Sequence, residues 1–166
     1  MVESKSEAEL RKHRCCFTGH RPDKLPVSEQ ALMCALEREI RIAIQDGFNV
    51  FLSGMAMGTD IIAAEIIIRL RKKERLPLKL IAASPFEGFE KRWSIEWQKR
   101  YNAVMAEADL IRFISPYYHR DCFQIRNEFM CNHSSRVIAV FNGEKGGTKN
   151  TIDYANRHGI PVRNVL

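Results

Sequence analysis

The sequence lacks the features that would indicate a membrane or secreted protein. Its longest apolar run, residues 61–68, is interrupted by Glu65 and falls short of the roughly 20 residues of a membrane span. The charged residues 1–14 contain no apolar core of a signal peptide. We therefore expect a cytoplasmic protein without membrane association.

Cysteine and metal-binding patterns are also scarce. The five cysteines are an odd number without a C-x-x-C pair, which argues against a disulfide framework or a zinc site. The histidines are scattered and form neither H-x-H nor H-E-x-x-H. Cys15 and Cys16 fall in a predicted buried strand, where we expect them to act as small hydrophobic side chains. We expect no bound metal and no cofactor.

What remains is the composition of a globular domain. The 166 residues are 45% hydrophobic and 28% charged, without repeats, low-complexity segments or linkers. We predict one domain over residues 14–166, preceded by a tail, residues 1–13, that is either flexible or a short helix. The net charge of +6 fits an anionic partner such as a nucleotide or nucleic acid, and fits a role in solubility equally well.

Strand and helix patterns alternate along the chain. Strands are predicted over 14–19, 49–53, 78–83, 110–114 and 136–141, with a last short one entered at 159–162. Helices are predicted over 28–46, 59–73, 90–108, 123–133 and 148–158, with a break in the third left open. Such alternation implies right-handed crossovers and an open parallel sheet flanked by helices on both faces.

Three predicted strands end in loops that contain glycine. The loops carry Gly19-His20-Arg21, then Ser53-Gly54 with Gly58-Thr59-Asp60, then Gly143 with Gly146-Gly147-Thr148. In open α/β sheets, ligands bind beyond the carboxyl ends of the strands. Glycine lets backbone N–H groups approach an anion, and a following helix favours negative charge at its start. We predict a shared phosphate-binding site at this edge.

The second and third loops differ in charge. The second is neither a dinucleotide fingerprint nor a P-loop, and Asp60 in its helix would repel a phosphate. This loop therefore suits ribose hydroxyls or a base amine, unless Thr59 and Asp60 only cap the helix. In the third, Thr148 can cap a helix whose first turn carries no acid, and Lys145 and Lys149 add positive charge. It predicts a phosphate subsite, or else a glycine-rich surface turn.

Other candidates lie near the same edge. Arg126-Asn127 begins a helix, from which Arg126 either clamps a phosphate or lies in solvent. His20 is either a general acid or base, or an anion-contacting or structural residue. Three loop aromatics either stack on a base or pack against the protein: Phe86 after Pro85, Tyr117 and Tyr118. Trp93 and Trp97 share a helix face, where we expect packing.

Together these pieces resemble the SLOG superfamily, named for the Smf/DprA DNA-processing proteins and the LOG cytokinin-activating enzymes. Within it, the chain resembles the YpsA-like proteins of bacteria. The matching pieces are Thr18-Gly19-His20-Arg21-Pro22, Ser53 to Asp60 with Ala63-Ala64-Glu65, Pro85-Phe86, Arg126-Asn127 and Gly146-Gly147-Thr148. The resemblance implies a Rossmann-like domain that binds nucleotides or nucleotide-derived ligands through these loops.

We therefore expect a nucleotide-binding sensor or binding module with no settled catalytic activity. One alternative is a LOG-like N-glycosidase of nucleoside monophosphates. Arg126 resembles the arginine of those enzymes, but Thr151 occupies the position of the glutamate in P-G-G-x-G-T-x-x-E, with Glu65 and Glu128 as replacement carboxylates. A second alternative is a DprA-like module that binds single-stranded DNA. Assembly into a homo-oligomer is left open.

Overall fold

Six strands alternate with helices in a computed structural model that describes residues 3–166. The strands are β1 (Arg14–Gly19), β2 (Val50–Ser53), β3 (Lys79–Ser84), β4 (Leu110–Phe113), β5 (Arg136–Val140) and β6 (Val162–Asn164). The helices are α1 (Glu7–Arg11), α2 (Glu29–Gln45), α3 (Thr59–Glu74), α4 (Ile95–Glu107), α5 (Cys122–Asn132) and α6 (Gly147–Arg157), with a 3-10 turn at Pro22–Lys24. Residues 1 and 2 of the predicted tail lie outside the described residues.

The strands form one parallel sheet in the order β4-β3-β2-β1-β5-β6. The predicted Rossmann-like α/β fold is confirmed. From β1 the chain builds the sheet in one direction through β4, and then returns to the other side of β1 with β5 and β6. The strand order therefore switches between β1 and β5, and open α/β sheets bind ligands beyond such a point.

The two faces of the sheet pack against different helices. Successive side chains of a strand point to opposite faces, so Cys15 and Phe17 face α2 and α3 while Cys16 faces α5 and α6. Phe17 stacks on Phe51 of β2 with ring centroids 6.0 Å apart. Both thiols are buried, and burial raises the pKa of the Cys15 thiol far above its ordinary value. Cys15 therefore stays protonated and packs as a hydrophobic side chain.

Most predicted elements lie within one or two residues of the observed ones, but one helix differs by more. The helix predicted over 90–108 begins only at Ile95, where the hydroxyl of Ser94 accepts the N–H of Trp97 at 3.4 Å, and turns precede it. The last strand begins at Val162, at the end of the segment 159–162 that was predicted to lead into it, and Pro161 before it has no N–H to donate to a sheet.

The segment before β1 contains the short helix α1. Ser6 and Glu9 form a capping box at its start. Arg11 at its end donates from Nε to the carbonyl oxygen of Ser134 at 3.0 Å, and the hydroxyl of Ser135 donates to the carbonyl oxygen of Arg11 at 2.7 Å. These bonds attach α1 to the turn between α5 and β5. Among residues 3–166, every helix is too short or too polar to cross a membrane.

Candidate functional site

A cavity of about 460 Å³ lies beyond the carboxyl ends of β1 and β5, where the strand order switches. Its volume falls in the range of about 300–1,000 Å³ that is usual for small-molecule sites. Its walls come from the loop after β1, the start of α3, the first turns of α5 and the loop into α6. The lining residues are Thr18, Gly19, His20, Arg21, Asp23, Lys24, Ala56, Asp60, Phe123, Arg126, Asn127, Glu144, Lys145, Gly146, Gly147 and Thr148.

The cavity brings together only part of the predicted site. The predicted residues that line it are Gly19, His20, Arg21, Asp60, Arg126, Asn127, Gly146, Gly147 and Thr148. The predicted residues outside its lining are Ser53, Gly54, Gly58, Thr59, Pro85, Phe86 and Gly143. Sequence reasoning did not assign Thr18, Asp23, Lys24, Ala56, Phe123 and Glu144 to the site. Most of these lie within a few residues of a predicted site residue, and this closeness in sequence is the signal that could have identified them.

Gly58 and Thr59 hold the start of α3 against the loop after β1. The hydroxyl and the N–H of Thr59 both donate to the carbonyl oxygen of His20, at 3.1 and 3.3 Å. A Cβ on Gly19 would lie 2.4 Å from the Thr59 hydroxyl oxygen. Gly58 has a φ of +90°, and a Cβ there would lie 2.7 Å from the same His20 oxygen. The hydroxyl of Thr59 therefore has a structural role, because its hydrogen bond holds α3 against the loop after β1.

Ser53 stabilises the loop between β2 and α3. Its hydroxyl donates to the carbonyl oxygen of Asp60 at 2.8 Å and accepts the N–H of Met55 at 3.2 Å. Met55 is fully buried and has a φ of 62°, a conformation that costs energy for a residue with a side chain. The Ser53 hydroxyl therefore has a structural role, because both of its hydrogen bonds are to the backbone of this segment.

Asp60 and Arg126 meet beside Gly54 at the cavity, and each is only 5% exposed. Asp60 Oδ2 accepts the N–H of Ala56 at 3.2 Å. Arg126 donates from Nη1 to the carbonyl oxygen of Gly54 and from Nε to Oδ1 of Asn127, the latter at 2.8 Å. A Cβ on Gly54 would lie 2.8 Å from Asp60 Oδ2 and 3.0 Å from Arg126 Cζ. Only a glycine lets both side chains occupy these positions.

Burial dominates the ionisation of this pair. It raises the pKa of the Asp60 carboxyl, and the nearby Arg126 charge opposes that shift. Burial likewise lowers the pKa of the Arg126 guanidinium, and Asp60 opposes that shift. The alternative in which Arg126 is a solvated helix residue is therefore wrong. The prediction that it contacts an anionic group of a ligand stays a prediction.

His20 connects the loops after β1 and β5. Its Nε2 accepts the N–H of Asn142 at 3.1 Å, so the ring carries its proton on Nδ1 when it is neutral. The ring also packs against Phe141, with centroids 6.0 Å apart. One ring nitrogen is thus used to position the loop that leads into α6, which favours the structural role for His20.

The start of α6 is not capped by a side chain. Gly146 is the N-cap residue and Thr148 lies inside the first turn, so the prediction that Thr148 caps this helix is wrong. Among residues 3–166, the N–H groups of Gly147, Thr148 and Lys149 have no protein acceptor. A Cβ on Gly146 or Gly147 would have no atom within 4 Å. The first turn of α6 therefore has three N–H groups without protein acceptors, and two of their residues, Gly147 and Thr148, line the cavity.

Charge at the start of α6 comes from fewer residues than predicted. The first turn carries no acidic residue, as the sequence indicates. Lys149, however, donates to Asp153 Oδ2 at 2.6 Å, so its charge is paired along the helix. Lys145 is exposed and lines the cavity together with Arg21 and Lys24. The positive charge at the rim therefore comes from three loop residues and not from Lys149.

Phe86 belongs to an aromatic cluster beside the cavity. Its ring lies 5.5 Å from Phe89, 5.8 Å from Tyr118 and 6.4 Å from Phe123 between centroids. Only Phe123 of this cluster lines the cavity. Tyr118 is 62% exposed at the outer side of the cluster, and Tyr117 next to it is 68% exposed.

Both tryptophans pack against the protein as predicted, but they do not share a helix face, because Trp93 lies before α4, which begins at Ile95. Trp93 packs edge-on against Tyr101 at 5.5 Å. The guanidinium of Arg100 lies 4.2 Å above the ring of Trp97.

The carboxylates proposed for glycosidase chemistry do not line the cavity. Thr151 is buried, and its hydroxyl donates to the carbonyl oxygen of Gly147 at 2.9 Å. Glu65 accepts Nη2 of Arg100 at 2.6 Å, outside the lining, and Glu128 also lies outside it. The carboxylates that do line the cavity are Asp23, Asp60 and Glu144.

The parallel sheet and the cavity at the point where its strand order switches place the protein in the class of Rossmann-like α/β domains. Residues 15–161 match the model of the YspA SLOG family, so the chain belongs to that family. The predicted resemblance to YpsA-like members of the SLOG superfamily is confirmed.

Similar proteins occur in the bacilli. The chain is 27% identical over 144 residues to a UPF0398 protein of Shouchella clausii, covering 82% of this chain and 77% of that protein. It is 34% identical over 119 residues to the uncharacterized SPbeta prophage-derived protein YoqJ of Bacillus subtilis, covering 64% of this chain and 69% of that protein.

Two solved structures of DNA processing protein A (DprA) have a similar fold. The Streptococcus pneumoniae protein superimposes with a TM-score of 0.65 at 19% identity, over 92% of this chain. The Helicobacter pylori protein, solved to describe its single-stranded DNA binding mode, superimposes with a TM-score of 0.63 at 25% identity, over 94% of this chain. The chain spans 50% and 66% of these two chains, respectively.

Proposed function

We propose that the protein binds a phosphorylated nucleoside in the cavity, with the phosphate at the start of α6. The observation that carries the proposal is the set of three N–H groups of Gly147, Thr148 and Lys149 without protein acceptors. Backbone N–H groups at a helix start, together with the helix dipole, form an anion site. The lack of an atom near a Cβ on Gly147 leaves room for a phosphate to approach.

The rest of the cavity supports a nucleoside attached to that phosphate. Its volume of about 460 Å³ is sufficient for a base and a sugar. Phe123 offers an aromatic surface in the wall, and the exposed Arg21, Lys24 and Lys145 add positive charge at the rim. Resemblance to the SLOG superfamily implies a ligand of the same class.

We propose a binding module rather than an efficient enzyme. At the position of the LOG glutamate, the hydroxyl of Thr151 is bonded to the backbone, and a hydroxyl cannot supply the charge that stabilises an oxocarbenium-like centre. We expect release of free base from adenosine 5′-monophosphate (AMP) to be absent or very slow. Rapid release by the wild-type protein, measured by chromatography, would overturn this expectation.

Calorimetric titration of the purified protein with AMP tests the proposal. Native mass spectrometry before the titration identifies any nucleotide that co-purifies, which is then titrated in place of AMP. We expect one bound nucleotide per chain and no binding of the unphosphorylated nucleoside under the same conditions. Equal affinity for the nucleoside and its monophosphate would remove the phosphate site from the proposal.

A second candidate function is binding of single-stranded DNA. The similarity to the H. pylori protein and the net charge of +6 favour it. Exposed Tyr117 and Tyr118 could add stacking surfaces beside the cavity. An oligonucleotide length series separates the two candidates. Affinity that grows with length and falls steeply with salt indicates single-stranded DNA, whereas affinity already complete with a mononucleotide indicates the small ligand.

A further inference from the structure

Two buried groups of opposite charge at the cavity keep unused hydrogen-bonding capacity. Asp60 Oδ2 accepts the N–H of Ala56, but the buried Oδ1 has no hydrogen-bond partner among residues 3–166. The hydrogen bonds of Arg126 use Nε and Nη1 and go to Asn127 and the carbonyl oxygen of Gly54, so Nη2 is left over in the described chain. Buried polar groups in native proteins are normally satisfied, and exceptions require an explanation.

The arrangement around Gly54 explains why the two groups do not satisfy each other. Both side chains pack against this glycine, with a Cβ there 2.8 Å from Asp60 Oδ2 and 3.0 Å from Arg126 Cζ. The Gly54 carbonyl and Asn127 hold the guanidinium, and the Ala56 N–H holds one carboxylate oxygen. Both residues line the cavity and are 5% exposed. The pair therefore keeps one unused acceptor and one unused donor at the same wall of the cavity.

The chemistry of the pair selects the ligand group. A phosphate only accepts hydrogen bonds and would be repelled by the Asp60 carboxylate. An exocyclic amine of a base only donates, so it would need a neighbouring ring nitrogen to accept from the Arg126 guanidinium. A hydroxyl both donates and accepts, so it can donate to Asp60 and accept from Arg126 at once. Rotation about the Cβ–Cγ bond of Asp60 exchanges its oxygens, so either oxygen can face the ligand.

We propose that Asp60 and Arg126 bind a ribose hydroxyl of the ligand and so make the cavity selective against nucleotides that lack this hydroxyl. This inference rests on the proposed function, which supplies the nucleotide, and it adds the sugar that the site accepts. It gives Arg126 a hydroxyl partner in place of the anionic group expected from the sequence. The phosphate remains at the start of α6, away from the Asp60 carboxylate.

The test compares four nucleotides by calorimetry at fixed salt: AMP, its 2′-deoxy and 3′-deoxy analogues, and inosine 5′-monophosphate, which lacks the amine. The wild type is compared with Asp60→Asn. The amide oxygen of asparagine must accept the Ala56 N–H, so its NH₂ group replaces the free acceptor. Asp121→Asn is the matched control, because Asp121 is an exposed carboxylate outside the cavity lining, and its side chain makes no capping bond to α5.

We expect at least one deoxy analogue to bind the wild type and Asp121→Asn roughly ten- to a hundredfold more weakly than AMP, the range for a hydrogen bond to a charged group. Asp60→Asn should discriminate between AMP and that analogue less strongly than the wild type, because the hydroxyl keeps only its bond from Arg126. Equal binding of AMP and both deoxy analogues by the wild type would overturn the inference while the proposed function stands. A loss confined to inosine monophosphate would assign Asp60 to the base amine and overturn it as well.

Two other results separate the inference from the proposed function. Absence of binding for all four nucleotides would overturn the proposed function and, with it, this inference. The comparison of AMP with its deoxy analogues needs only wild-type protein, so the inference is tested even if Asp60→Asn does not fold. Circular dichroism reports the folding of both variants.

Discussion

Two helices, α3 and α6, begin at the same cavity, and their first turns are built in opposite ways. The start of α3 is closed by its own residues: Thr59 donates twice to the His20 carbonyl oxygen, and a Cβ on Gly19 would lie 2.4 Å from the Thr59 hydroxyl. Neither helix has a side-chain cap, but among residues 3–166 the N–H groups of Gly147, Thr148 and Lys149 at the start of α6 have no protein acceptor, and a Cβ on Gly147 meets no atom within 4 Å.

The difference shows why similar sequences serve different purposes at the two helices. Both segments combine glycines with a threonine, but α3 carries Asp60 in its first turn whereas α6 has no acidic residue there. An early acid satisfies the helix dipole from within the chain. Its absence leaves the dipole and the N–H groups to an anionic ligand. We infer that α3 supplies structure and a hydroxyl contact, and that α6 supplies the phosphate contact.

The largest expected effect is on binding at α6. Gly147→Asp places a carboxylate at the proposed phosphate position, so affinity for AMP should fall by about a hundredfold or more, equal to the loss of one or two charge-assisted hydrogen bonds. The fold should be kept, because the added side chain meets open space. Calorimetry measures the affinity. Asn156→Asp adds the same charge to the exposed far end of α6 and should bind AMP like the wild type. Undiminished binding by folded Gly147→Asp would remove this site.

At α3 the largest effect should be on stability. Arg126→Ala leaves the buried Asp60 carboxylate without its nearby cation, which should cost about 3 kcal/mol at pH 7. Arg120→Ala removes an exposed arginine just before α5 and should cost less than about 0.5 kcal/mol. Urea unfolding measures both differences.

The cost of Arg126→Ala should depend on pH. Burial raises the pKa of folded Asp60, so this group adds stability below its unfolded pKa of about 3.9 and loses it as the pH rises through the folded pKa. Without Arg126 the folded pKa rises further, so the deficit against the wild type should shrink as the pH is lowered from 7 toward 4. A deficit that stays constant over this range would show that Asp60 does not cause it.

Adding one methyl group should distinguish the two helix starts by their packing. Gly19→Ala forces a Cβ against the Thr59 side chain and should destabilise the protein by about 1–3 kcal/mol. Gly147→Ala meets open space and should leave the stability unchanged or slightly higher. Urea midpoints at constant m-value report both changes. Equal stability of the two variants would contradict the tight contact between the loop after β1 and α3.

The smallest effect concerns the threonine hydroxyls. Thr59→Val removes the 3.1 Å bond to the His20 carbonyl oxygen and keeps the backbone bond to the same atom, so it should cost about 1 kcal/mol. Thr148→Val, at the start of α6, removes no capping bond and should cost less. Thermal unfolding at matched concentrations resolves the difference. A larger cost for Thr148→Val would reverse the assignment of structural roles.

Much of the fold could be predicted from the sequence, because its strands are short apolar runs that end at glycine or proline. The start of α4 could not be predicted. Phe89 and Trp93 before it are four residues apart, which is a helical spacing, but they lie in turns and pack against each other. The strand order also requires tertiary information, because local pattern does not say on which side of β1 the chain places β5.

The candidate site was less accessible to sequence reasoning. A hydroxyl beside a glycine looks the same whether it binds a ligand or the backbone, and Ser53 and Thr59 bind the backbone. The burial of Arg126 depends on the Gly54 loop, which is distant in sequence. Phe123 lines the cavity because α5 packs beside β1, a placement that helical periodicity alone does not give.

The most direct test of the central claim is an NMR titration of ¹⁵N-labelled protein with AMP that follows backbone amides at both helix starts. We predict saturable shifts for the amides of Gly147, Thr148 and Lys149, and much smaller shifts for the amide of Thr59, which already donates to the His20 carbonyl oxygen. Binding of AMP with unmoved amides at residues 147–149 would contradict the assignment of the phosphate to α6.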